Sequence, residues 1–252
     1  MGRPAQPQPP ESAATLLLVR HGLTAVTGSR LAGRTPGLHL DGRGRAQAEQ
    51  TARRLAPLRL DAVVTSPMER CVQTAAAIAA ATGTPVTEDE RFTECDYGDW
   101  TGRDFDDLRR DPHWPIVQHH PSAARFPGGE TLAAMAARAV AAVRDWNDRL
   151  AAATPAPVYL VCTHGDIIKA VVADALGLHL DQFQRIVPDP CSLTAVRYTP
   201  TRPFLVRLND VGGSVDGLLP GPAATSGDAA VGGGAGAAGC GRSADPSGGS
   251  RR

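Results

Sequence analysis

The chain has 252 residues, with 26 basic and 26 acidic side chains, so its formal net charge is zero. That balance excludes the broad positive field that draws proteins to nucleic acid or to an anionic membrane, but it leaves room for a local cationic pocket. Aromatics make up 4% of the residues and there are five cysteines; the core must therefore rest on Ala, Leu and Val, and scattered thiols without zinc-ligand spacing predict a reduced, cytoplasmic protein.

Residues 1–13 are rich in Pro and Gln, lack the apolar stretch of a signal peptide, and are expected to be disordered. "TLLLV" then predicts a buried strand. "DGRGRAQAEQTARRLAPL" predicts an amphipathic helix, with Asp41 as N-cap and Leu55 and Leu58 on its apolar face. "DAVVTS" is a strand. "PMERCVQTAAAIAAATG" is a helix that opens with Pro67 and closes at Gly83. "TPVTED" is a short strand. Residues 92–130 are irregular, with one helix near 103–110. "TLAAMAARAVAAVRDWNDRLAAA" is a long helix, "PVYLVCT" a strand and "DIIKAVVADALGL" a helix; "SLTAVRYT" and "FLVRLND" are two last strands. No run approaches the length of a membrane span. From residue 211 Gly, Ala, Ser and Pro dominate, and 211–252 is expected to be a disordered tail. Strands alternating with helices predict an α/β fold over 14–210. It should be a single three-layer domain, with a mostly parallel central sheet and helices on both faces.

Three of the strands run into polar residues suited to phosphate: Arg20-His21-Gly22, then Ser66-Pro67 with Arg70 a turn later, then Thr163-His164-Gly165. In an open parallel sheet the carboxyl ends of the strands share one edge, where ligands bind. Two histidines, two arginines and several helix N-termini should therefore converge on an anion. Ser66 is expected to cap the following helix, and Cys162 to be a small buried residue.

These segments together resemble the histidine phosphatase superfamily, the phosphoglycerate mutase-like enzymes. "LVRHGLT" resembles the nucleophile motif. "LAGRTPGLHLDGRGRAQA" is similar to the stretch that follows it, ending in a Gly-x-x-Gln-Ala helix start. "VTSPMERCVQTA", "FTECDYGDWTG", "FPGGET" and "LVCTHGDIIKAVV" resemble the later motifs, over about residues 15–208. The resemblance implies that His21 is the nucleophile, that Arg20, Arg70 and His164 bind the phosphoryl group, and that Glu94 donates a proton. It also points to Thr24 and Gly165 beside the phosphate, and to Thr27 where many members carry Asn. Arg34 either reaches the substrate or is a solvated loop cation.

A neutral imidazole can attack phosphorus in line and form a phosphohistidine, splitting one displacement into two. Arg20 and Arg70 should depress the His21 pKa by like-charge repulsion. Planar guanidiniums match the equatorial oxygens, so neither metal nor cofactor is required. The adjacent His119 and His120 do not face one ligand as an i, i+4 pair would. The implied reaction is hydrolysis of a small phosphorylated metabolite. A phosphoglycerate mutase activity and a non-catalytic phosphate-binding scaffold are the alternatives. The segment 100–129 either covers the crevice, with His113, Trp114, His119 and Phe126 touching the leaving group, or packs on its own aromatics.

Overall fold

A computed structural model describes residues 14–212. The two expected disordered ends lie outside the described residues, save for Val211 and Gly212. Six strands form one sheet in the order β3-β2-β4-β1-β5-β6. They are β1 (Ala14–Arg20), β2 (Ala62–Thr65), β3 (Val86–Glu88), β4 (Val158–Thr163), β5 (Leu193–Tyr198) and β6 (Pro203–Asp210). β3, β2, β4 and β1 run parallel, while β5 is antiparallel to both its neighbours.

Side chains two residues apart share a sheet face, and that period divides the core. Leu17, Val19, Val63, Leu160 and Cys162 pack under α1 (Gly42–Leu55) and α2 (Glu69–Thr82). Leu16, Leu18, Val64, Tyr159 and Val161 pack under α5 (Leu132–Ala151) and α6 (Gly165–Ala175) on the opposite face. The three layers and the mostly parallel sheet agree with the sequence. Asp41 caps α1 by accepting from Gly44 N, and Gly83 ends α2 in the left-handed conformation that favours glycine.

Local departures have local reasons. α1 stops at Leu55, so Leu58 leaves the apolar face and is exposed. α2 begins at Glu69 because Met68, its cap, is still extended; Pro67 lies before the helix and Ser66 does not cap it. The irregular region holds two short helices, α3 (Phe105–Leu108) and α4 (Trp114–His119). The sequence pattern predicts only the first, since Pro115 and a six-residue length hide any helical period in the second. No helix among the described residues is long and apolar enough to cross a membrane.

Candidate active site

The end of β1 continues the sheet for one residue, His21 N donating to the Thr163 carbonyl at the end of β4. The loop that follows is pinned from two helices. Gly22 N donates to Thr74 Oγ1 of α2, and Leu23 N to Gln47 Oε1 of α1. The Gly-x-x-Gln spacing in α1 explains itself here. A Cβ on Gly44 would lie 2.0 Å from the Leu23 carbonyl oxygen, so only glycine lets the helix approach while Gln47, a turn later, holds the loop.

His21 is buried, and its Nδ1 lies 2.8 Å from the Gly22 carbonyl oxygen. A carbonyl can only accept, so Nδ1 carries the proton and Nε2 keeps its lone pair. Arg70 Nε–H points at that lone pair from 3.3 Å. Burial first, then the Arg70 and Arg20 guanidiniums, hold the His21 pKa well below the usual imidazole value, against the Gly22 bond. The repulsion expected from the sequence is present, but burial is the larger cause.

His164 stands at the N-terminus of α6, with its ring centroid 5.3 Å from that of His21. Arg70 Nη2 faces its Nδ1 at 3.2 Å, and Ser66 Oγ meets its Nε2 at 2.8 Å. An arginine can only donate, so neutral His164 carries its proton on Nε2 and donates to Ser66. Burial, then Arg70, again push the pKa well below normal. One guanidinium thus faces the lone pairs of both imidazoles. Its Nη2 also donates to the Gly33 carbonyl at 2.6 Å, while its buried Nη1 has no hydrogen-bond partner among the described residues. Arg20, also buried, donates from Nη1 to the Pro188 carbonyl at 2.9 Å. Two buried cations each cost several kcal/mol in lost hydration, by the rough scale of ion burial. Such an arrangement is compensated when an anion of matching geometry joins it.

Glu94 is the acidic group of the site. It is buried, and Oε1 accepts from Cys95 N at 3.0 Å. Burial and the nearby Asp166 carboxylate raise its pKa to about 7, against the Cys95 bond and the attraction of Arg70 and Arg20. The backbone at Glu94 is fixed from outside: Arg34 Nε and Arg138 Nη2 both donate to its carbonyl, and both guanidiniums pair with Glu130.

Arg20, His21, Thr24, Thr27, Arg70 and Glu94 line one cavity together with residues of the loop 28–33 and Phe105. Thr27 Oγ1 accepts from Thr24 N at 2.9 Å, which fixes the turn. Arg34 is absent from the lining, because Glu130 and the Glu94 carbonyl draw its guanidinium away. Gly165, buried as the first residue of α6, does not line the cavity either, and neither does His164, which is fully buried behind Arg70 Nη2. Of the four aromatic or imidazole candidates in the covering segment, none lines it. Phe126 packs edge-on against Tyr97 and Trp100, Trp114 stacks on Trp100, His113 pairs with Asp111, and His119 is exposed at the end of α4. The aromatics serve the core, and Phe105 from the same segment reaches the cavity instead. Among the described residues no group of three or more His, Cys, Asp or Glu could hold a metal ion.

A three-layer fold with two histidines and two arginines at one sheet edge defines a class, and the sequence carries its pattern. Residues 16–211 match the histidine phosphatase superfamily (branch 1), and the chain belongs to that family. Among its relatives is phosphoserine phosphatase 1 of Hydrogenobacter thermophilus, 29% identical over 210 residues, covering 77% of this chain and 91% of the relative. A glucosyl-3-phosphoglycerate phosphatase of Mycolicibacterium vanbaalenii is 33% identical over 177 residues, covering 67% and 76%. A protein of Salmonella choleraesuis named as a probable phosphoglycerate mutase, GpmB, is 28% identical, covering 72% and 83%. The native structure of a mycobacterial glucosyl-3-phosphoglycerate phosphatase superimposes with a TM-score of 0.71 at 25% identity, covering 79% of this chain and 99% of that one.

Proposed function

We propose that this chain is a phosphomonoesterase of the cytoplasm that hydrolyses a small phosphorylated metabolite, without a metal, through a phosphohistidine on Nε2 of His21. The observation that carries this reading is the tautomer of His21: with its proton on Nδ1 and donated to the Gly22 carbonyl, the lone pair of Nε2 faces the cavity-lining Arg70. A bound phosphate dianion takes the buried guanidiniums of Arg20 and Arg70 as partners for its equatorial oxygens, and the Thr24 hydroxyl and His164 complete the set. Dianion binding raises the affinity of His164 for a proton; Arg70 Nη2 then turns from Nδ1 to a phosphate oxygen, and the protonated Nδ1 donates as well. Nε2 attacks phosphorus, the P–O bond to the leaving group breaks, and protonated Glu94 gives that oxygen its proton. The Glu94 carboxylate then takes a proton from water, which attacks the phosphohistidine and frees inorganic phosphate and the imidazole.

Water is favoured over a sugar acid as the second acceptor by where the arginines of the segment 100–129 go, and Arg30, which does line the cavity, is paired with Asp104. Arg103, Arg109 and Arg110 pair with Asp111, Asp106 and Asp107, and neither they nor Arg125 line the cavity. The phosphatase-named relatives support the same choice. Phosphate release from a panel of phosphomonoesters in excess EDTA is the test. Full activity is expected; rapid interconversion of 3- and 2-phosphoglycerate with a bisphosphoglycerate primer would replace phosphatase by mutase.

The Glu94 pKa of about 7 sets a pH signature. A proton donor is lost as pH rises through its pKa, so kcat/KM for an aliphatic phosphomonoester falls above about pH 7. Glu94→Gln loses roughly 10²–10⁴-fold on such a substrate and the alkaline fall disappears. p-Nitrophenyl phosphate, whose leaving group departs without a proton, is hit far less. Equal losses on both substrates would remove Glu94 from this role.

A further inference from the structure

α6 is lined with buried apolar residues, yet it also buries a complete ion pair. Asp166 and Lys169 are both fully buried, and Asp166 Oδ1 lies 3.2 Å from Lys169 Nζ. An apolar pair of similar size would avoid the desolvation cost, so stability gives no reason for the charges. Their surroundings do. Asp166 Oδ2 accepts from the Tyr97 hydroxyl at 2.7 Å. Lys169 Nζ donates to Gln184 Oε1 at 2.8 Å and sits over the Phe183 ring. Tyr97 is three residues beyond Glu94 on one loop, and Asp166 is two residues beyond His164 on another element. This bond therefore ties the loop of the carboxylic acid to the helix of the second histidine.

We propose that Asp166 and Tyr97 are positioning residues for Glu94: the Tyr97–Asp166 bond pins the Glu94 loop against α6 and holds Glu94 in the neighbourhood of the buried Asp166–Lys169 pair. The inference rests on Glu94 being the proton donor. The charged and titratable groups that act on Glu94 come from every element around it. Asp166 of α6, itself paired with Lys169, disfavours its ionised form, while Arg70 of α2 and Arg20 of β1 favour it, as does the N–H of Cys95 on its own loop. Arg34 and Arg138 engage its backbone carbonyl. Two nearby guanidiniums would ionise an exposed carboxyl; burial and the Asp166 carboxylate oppose them. Tyr97, whose pKa lies well above the usual phenol value through burial and Asp166, stays a donor throughout the working range.

Two variants separate this role from mere packing. Asp166→Asn combined with Lys169→Met removes both charges at nearly constant volume. On an aliphatic phosphomonoester the alkaline limb of kcat/KM should move down by about one pH unit, roughly a tenfold loss at pH 8. Tyr97→Phe keeps both charges and cuts only the tether. It should lose about tenfold on the aliphatic substrate and less than about threefold on p-nitrophenyl phosphate. An alkaline limb that stays in place in the double variant, or a Tyr97→Phe loss equal on both substrates, would overturn the proposal. Should the double variant fail to fold, the Tyr97→Phe split decides alone. A wild-type enzyme with no alkaline limb on the aliphatic substrate would instead remove the reading of Glu94 on which the proposal stands.

Discussion

Alanine at His21 should lower kcat/KM by on the order of 10⁴ or more, because the only route left is direct attack by water on a bound ester. The variant keeps Arg20, Arg70 and His164, so the anion cradle survives the loss of the nucleophile. Binding of inorganic phosphate, followed by calorimetry, should therefore stay within about tenfold of wild type, since the side chain removed contributes no charge when neutral. This pairing of lost turnover with retained binding matters. His21 is held by the Thr163 carbonyl through its backbone and by its neighbour Gly22 through its ring, so its removal leaves the β1–β4 junction intact. Loss of both turnover and binding would mean that the imidazole organises the site rather than attacks.

Replacing Arg70 should have the next largest effect, about 10³-fold in kcat/KM, in the range found for donors aimed at developing phosphoryl charge. Three contacts go at once: to His21 Nε2, to His164 Nδ1 and to the Gly33 carbonyl. Arg70→Ala should also move the acid limb of the pH profile toward neutrality. Arg70 is the largest of the cationic influences that lower the His21 pKa. Without it the imidazole holds its proton to higher pH, so the neutral nucleophile appears later as pH rises. Arg70→Lys separates the two functions: a lysine keeps the charge and hence the limb, while a point charge cannot serve two imidazoles and a phosphate oxygen as a fork does. An unchanged acid limb in Arg70→Ala would show that burial and Arg20 set the state of His21 without Arg70.

The apolar runs at 15–19, 62–65 and 158–163 make the parallel strands legible in the sequence, and polar residues at their ends mark the binding edge. Asp41 and Gly83 marked helix ends by local chemistry that needs no tertiary partner. What escaped the sequence depends on partners distant in the chain. Ser66 looks like a helix cap because it follows a strand and precedes a proline, yet its hydroxyl serves His164, 98 residues away. Arg34 sits in a loop beside the nucleophile, yet Glu130 claims it from 96 residues away. The segment 92–130 follows neither the helical nor the strand period, because its aromatics pack among themselves rather than on a regular face. Asp166 and Lys169 did leave a signal, a charged pair at i, i+3 inside an otherwise apolar helix. That spacing also describes an exposed ion pair, and only the packing of α6 against the sheet and α5 shows that both charges are buried.

The most direct measurement is to quench the enzyme within milliseconds of mixing it with a phosphomonoester labelled in its phosphoryl group, and to map the label. The account predicts a phosphoramidate, stable to base and lost in acid, on Nε2 of His21, and none in His21→Ala. Label on any other residue, or steady turnover with no covalent phosphate at any quench time, would contradict it.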